Sequence, residues 1–149
     1  MSPCHLRREQ VVPHGLDEVY AFFADAFNLE RITPPELRFR VLTPAPIDIR
    51  EGTLIDYRLS LFGVPFGWRT RISAWQPPFM FVDEQLRGPY REWIHTHTFE
   101  SVPGGTRLTD HVQYRLPLYP FGQAALPLVR RQVEHIFDYR ARVIAEVFR

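Results

Sequence analysis

Lysine is absent from this 149-residue chain, cysteine occurs once, and no apolar run is long enough to span a bilayer. The lone Cys4 excludes an internal disulfide and fits a reducing compartment. With no signal peptide and no spanning run, the expectation is a soluble cytoplasmic protein without stable membrane insertion. An excess of charge of one sign is also missing. Eighteen arginines against 17 acidic residues leave a net charge of +1, which gives no bulk case for nucleic acid or for an anionic membrane as partner. No Gly-x-Ser-x-Gly elbow is present, which counts against a serine hydrolase.

What is there is apolar and aromatic. Hydrophobic residues make up 45% and aromatics 14%, enough to bury a sizeable core, and the length suits one domain over residues 1–149. The stretch from Phe81 to Glu100 organises the rest. Two alternating segments flank Gly88-Pro89 and read as an antiparallel hairpin. Along its second strand Trp93, His95, His97 and Phe99 share one face, because side chains alternate. A face mixing large aromatics with two imidazoles suits the wall of a pocket.

Around it the pattern predicts a strand over His5–Val12 and a short helix from Leu16 carrying Val19, Tyr20, Phe22 and Phe23. A further turn is expected near Asn28–Ile32, and a strand over Glu36–Thr43. A type II′ turn at Gly63-Val64 would pair Leu61 with Phe66, Leu59 with Trp68, Tyr57 with Thr70 and Ile55 with Ile72. A type I′ turn at Gly104-Gly105 would pair Phe99 with Asp110, His97 with Val112 and His95 with Tyr114. For the strand from Phe79, pairing Ala74 with Phe81 and Ile72 with Asp83 turns Phe81, Asp83, Gln85 and Arg87 inward. A three-residue loop at Gly88-Pro89-Tyr90 then sets Asp83 opposite His95. After Pro117 and Pro120, helical spacing of Val129, Val133, Ile136, Phe137, Arg140, Val143, Ile144 and Val147 predicts one helix of about twenty residues opened near Pro127. At 1.5 Å per residue that is about 30 Å, enough to cross a sheet. The fold class is therefore α+β: a curved antiparallel sheet of six to seven strands wrapped around a long C-terminal helix, with short helices after the first strand.

The chain resembles the helix-grip, START-like superfamily often labelled SRPBCC, and within it a bacterial subgroup of polyketide cyclase or dehydrase-like proteins. The residues that carry the resemblance are Phe23–Leu29 (FADAFNL), Phe81-Val-Asp-Glu-Gln before Gly88-Pro89, Trp93-x-His95-x-His97-x-Phe99, Gly105-Thr106-x-Leu108-x-Asp110 and Phe137-Asp-Tyr139-Arg140. It covers essentially the whole chain and departs at Gly15, where a capping Ser, Asp or Pro is more usual. The resemblance implies a central cavity open near the short helices and one end of the long helix. It implies no universal catalytic set.

Several chemistries compete for the polar residues of this face. His95 and His97 with Asp83 or Asp110 have the composition of a two-His, one-carboxylate metal site, but metal spacing on a single strand is unspecific. A network of hydrogen bonds in a wet cavity explains the same residues and is preferred, with no metal and no cofactor assigned. A cyclase or dehydratase would use His95 or His97 as acid or base, orient it with Asp83 or Asp110, and stabilise an enolate with Tyr57, Tyr114 or Arg140. Arg130, Arg131 and Arg142 read as a solvated helix face. The favoured function is a carrier or sensor for a hydrophobic small molecule, lipid-, quinone- or polyketide-like. Its polar group would meet Asp83, Gln85, His95, His97 and Asp110. Its body would lie among Tyr57, Leu59, Trp68, Phe81, Trp93, Tyr114, Val133, Ile136 and Phe137. The alternatives are the cyclase or dehydratase and a ligand-free interaction module, and a homodimer stays open.

Overall fold

The computed structural model describes residues 2–149. Seven antiparallel strands form one sheet in the order β1-β7-β6-β5-β4-β3-β2. They are β1 (Cys4–Val12), β2 (Arg40–Val41), β3 (Leu54–Leu61), β4 (Val64–Gln76), β5 (Met80–Arg87), β6 (Glu92–Val102) and β7 (Gly105–Arg115). Helix α1 spans Leu16–Phe23, and α2 spans Leu126–Val147. Tight helical turns occupy Ala26–Glu30, Pro35–Leu37 and Phe121–Ala125. This is the helix-grip arrangement, with the sheet curved around α2.

Helix α1 starts at Gly15, which is extended and supplies no side-chain cap. Asp17 and Glu18 in the first turn offset the helix dipole, and burial of Val19, Tyr20 and Phe23 holds the helix in place. The expected strand over Glu36–Thr43 is largely absent: Pro34 and Pro35 start a tight turn, Arg38 adopts φ 49°, and only Arg40 and Val41 pair with β3. Proline lacks the N–H that a ladder requires, and the left-handed residue turns the chain out of the strand.

Both central hairpins keep the expected faces but slip by two residues. Leu61 pairs with Val64, Leu59 with Phe66, Tyr57 with Trp68 and Ile55 with Thr70. The turn is Phe62-Gly63, with φ of 53° and 79°, the two left-handed residues of a type I′ loop. Likewise Val102 pairs with Gly105 around Pro103-Gly104, so Phe99 lies opposite Leu108, His97 opposite Asp110 and His95 opposite Val112. Proline at the first corner and Gly104 at φ 88° suit a type II turn. A two-residue slip preserves side-chain parity, so the inner faces survive while the partners change.

On β5 the pairing of Ile72 with Asp83 and of Asp83 with His95 is as expected. Two irregularities alter its surroundings. Ser73 is an extra residue, so Ala74 pairs with Val82 and Trp75 with Phe81. Leu86 is a second, so Arg87 pairs with Arg69 and is exposed rather than inward.

Helix α2 runs for 22 residues with proline in its first turn and buries Val133, Phe137, Arg140 and Ile144. Two apolar clusters pack beneath it, one around Leu59, Val112, Tyr114, Val133 and Phe137, the other around Val19, Phe23, Phe81, Phe99 and Ile144. Each fully buried side chain of this size contributes roughly 1.5–3 kcal/mol. The polar groups of β5, β6 and β7 lie where these clusters meet.

Candidate functional site

A cavity of about 130 Å³ lies between α2, the inner faces of β3–β6 and the turns that follow α1. A cavity of roughly 150 Å³ takes one benzene ring, so the space here is ring-sized. One wall is aromatic. Trp68 meets Trp93 edge-on at 5.5 Å, Tyr90 packs against Trp93 at 4.9 Å, and Phe39 against Tyr57 at 4.8 Å. The Trp68 indole N–H donates to Thr70 Oγ1 at 3.0 Å, which fixes the ring. The Tyr57 hydroxyl lines the cavity and has no hydrogen-bond partner among the described residues. Burial, then the charge of Asp83, raises its pKa, so it stays a protonated donor.

The polar part of the lining is built on adjacent strands. Alternation on β6 puts His95 and His97 on the inner face, register places Asp83 of β5 beside His95, and β7 sets Asp110 beside His97. His97 is sandwiched between two rings, with Phe81 stacked on it at 4.0 Å and His95 at 3.7 Å. His97 Nε2–H donates to Asp83 Oδ2 at 2.6 Å, and His95 Nε2–H donates to Asp110 Oδ1 at 2.8 Å. Arg140 reaches down from α2, donating from Nη2 to Asp110 Oδ1 at 3.1 Å and from Nε to Oδ2 at 3.3 Å. Its guanidinium also faces the rings of Phe23 and Phe137 at 5.1 and 5.8 Å.

The electrostatics follow from this geometry. Burial alone would raise the pKa of Asp110, but Arg140 and the bond from His95 outweigh it and hold the carboxyl well below its usual range. Asp83 is also lowered, with burial opposed by the His97 bond and by His95. Burial, reinforced by repulsion from His95, pushes His97 down to about 4. His97 is therefore neutral near pH 7 and meets Asp83 as a hydrogen-bond donor.

Of the residues expected around a ligand, Tyr57, Leu59, Trp68, Asp83, Trp93, His95, His97, Ile136 and Phe137 line the cavity. Five others do not. Phe81 lies behind His97, and Asp110 lies behind both imidazoles. Gln85 clamps the following turn, donating to the Tyr90 carbonyl at 2.6 Å and accepting its N–H at 3.1 Å. Tyr114 and Val133 are packed in the first apolar cluster. Sequence reasoning missed Leu29, Ile32, Thr33, Leu37 and Phe39, which reach the cavity from the tight turns and irregular chain after α1, and Leu61, Thr70 and Tyr90. Their signal was faint: apolar residues scattered through a proline-bearing segment without a period.

Residues 12–137 match the family described as polyketide cyclase / dehydrase and lipid transport. The chain belongs to that family. Solved structures similar to this polyketide cyclase / dehydrase family member include TTHA0849 from Thermus thermophilus, with 18% identity, TM-score 0.77 and coverage of 96% of this chain and 95% of that one. Zhui aromatase/cyclase from Streptomyces sp. R1128 has 14% identity, TM-score 0.77 and coverage of 97% and 92%. Ginseng major latex-like protein 151 from Panax ginseng has 11% identity, TM-score 0.68 and coverage of 100% and 99%. At these identities the likeness establishes the fold. No curated protein sequence matches this family member. Among the described residues no helix is long and apolar enough to cross a membrane.

Proposed function

We propose that the whole chain, residues 1–149, acts as one cytoplasmic binding module that carries or senses a hydrophobic small molecule. The observation that carries this reading is the pairing of an aromatic patch with a polar one in the lining of a ring-sized space. A cavity of about 130 Å³ favours a ligand with one aromatic or quinone-like ring over a lipid enclosed along its length. The ring would stack among Trp68, Tyr90 and Trp93. Its oxygen substituent would meet the Tyr57 hydroxyl on one side and the Asp83–His97 pair on the other.

Native mass spectrometry beside solvent extraction, followed by a thermal-shift screen of ring-bearing compounds, tests the proposal. A co-purified ring compound, or a phenol or quinone that raises the melting temperature and loses affinity in Trp93→Ala, supports it. Absence of any bound mass and of any shift would refute it.

Cyclase or dehydratase activity is the second reading, favoured by one observation: each imidazole that faces the cavity is bonded to its own carboxylate. That arrangement orients a base and stabilises its protonated form. Turnover of a poly-β-keto substrate that disappears in His95→Ala or His97→Ala would establish the enzyme. Binding without turnover leaves the carrier.

A further inference from the structure

Two-stranded geometry brings three potential metal ligands to one side of the cavity. Asp83 Oδ2 lies 2.6 Å from His97 Nε2 and 3.9 Å from His95 Nδ1. Donor atoms of Asp83, His95 and His97 all fall within 4.8 Å of one another. A four-coordinate ion with bonds of roughly 2.1 Å holds its ligand atoms about 3.4 Å apart, so the observed spacings straddle what such an ion needs. All three residues line the cavity, which leaves the remaining coordination toward the space a small molecule would occupy.

A second observation is independent of spacing. His95 gives its Nε2–H to Asp110, and its Nδ1, on the ligand side, makes no hydrogen bond among the described residues. An imidazole whose far N–H is held by a buried carboxylate is the arrangement that orients a metal-ligating histidine. Asp110 Oδ1 lies 3.6 Å from His97 Nδ1 as well, so one carboxylate backs both rings, and Arg140 anchors that carboxylate.

We propose that Asp83, His95 and His97 form a mononuclear site for a divalent first-row transition ion, zinc foremost, open to the cavity on its remaining side. Two imidazoles and one carboxylate are a donor set that zinc accepts with a solvent or ligand oxygen as its fourth partner. Binding replaces the His97–Asp83 hydrogen bond. The proton on His97 Nε2 moves to Nδ1 and is given to Asp110 Oδ1, which requires Arg140 Nη2 to release the 3.5 Å contact it makes to Nδ1, and His95 keeps its proton on Nε2. No net proton is released, and Arg140 retains its bond to Asp110. The site stands whether or not the cavity takes a hydrophobic ligand.

The test uses the full chain, stripped with chelator, loaded with zinc, desalted and assayed by elemental mass spectrometry. Cobalt loading is read in parallel by visible absorption. One zinc per chain is expected, with the intense bands of four-coordinate cobalt. Asp83→Asn and His97→Ala should lose the ion, and Asp110→Asn should bind about ten- to a hundredfold more weakly. A double variant of the outer pair, His5→Ala with His111→Ala, should keep it. No retained zinc, retention unchanged in His95→Ala and His97→Ala, or loss in the outer-pair variant would each overturn the proposal. Where an inner-site variant fails to fold by circular dichroism, the wild-type cobalt spectrum decides, since six-coordinate cobalt with weak bands alone would overturn it. Zinc retained without any ring-compound shift would sink the carrier reading and leave this one standing; the reverse result would do the opposite.

Discussion

The chain has two histidine pairs on its sheet, and they are built differently. His5 of β1 and His111 of β7 stack in parallel at 5.2 Å, with Nδ1 and Nε2 3.0 Å apart, and among the described residues no carboxylate bonds to either. His95 and His97 stack at 3.7 Å; His95 holds the buried carboxylate of Asp110 and His97 the half-buried one of Asp83. Water can solvate the outer pair, so a plain imidazole–imidazole hydrogen bond suffices. Inside, a bonding partner has to be part of the fold, and Asp83, Asp110 and Arg140 fill that role. The comparison teaches that two histidines become a chemical site through what stands behind them, not through their proximity.

The strongest way to break the inner arrangement is at Arg140. Arg140→Met leaves Asp110 buried without its cation and should cost about 3–5 kcal/mol, read as a shift in the urea midpoint. Next comes pH, measured on metal-free protein in chelator. His97 has a folded pKa of about 4 against an ordinary 6.5, so its contribution is fully present above pH 6.5 and is lost as pH falls toward 4, a change of about 3 kcal/mol. Asp83 and Asp110 are depressed, so their contributions hold above their ordinary value of 3.8 and fade below it. Equilibrium unfolding in His97→Gln should lack the upper window and keep the lower one; an unchanged upper window would remove His97 as its source. A smaller effect is expected at Gln85→Ala, which frees the Tyr90 backbone and should destabilise by about 1–3 kcal/mol. Faster amide exchange in residues 88–91 would report it. The outer pair should hardly respond: His5→Ala is expected to change stability by under about 0.5 kcal/mol in the same urea titration.

Parity along strands was legible from residue types, and with it the inward set of Asp83, His95, His97 and Asp110. Cross-strand partners were less so, because a glycine can take either corner of a turn. Phe62 and Pro103 proved to be the first corner residues, and a bulky aromatic in left-handed conformation is not what its type suggests. The arm of the cavity formed by Leu29, Ile32 and Leu37 has no period to read, since its shape comes from tertiary packing around prolines. Arg140 could be placed on the inner edge of the helix. Its partner could not be identified, because the contact spans 30 residues and depends on how α2 crosses β7.

That contact has a mechanical consequence. The buried apolar residues of α2, Val133, Phe137 and Ile144, make non-directional contacts that do not by themselves hold the helix against a slide of one turn, about 5.4 Å. Arg140 differs. Moved by one turn, it would strand two buried charges, so the guanidinium acts as a locating pin that fixes the axial setting of the helix. The Arg140–Asp110 pair thereby ties α2 to β7 at one point along its axis.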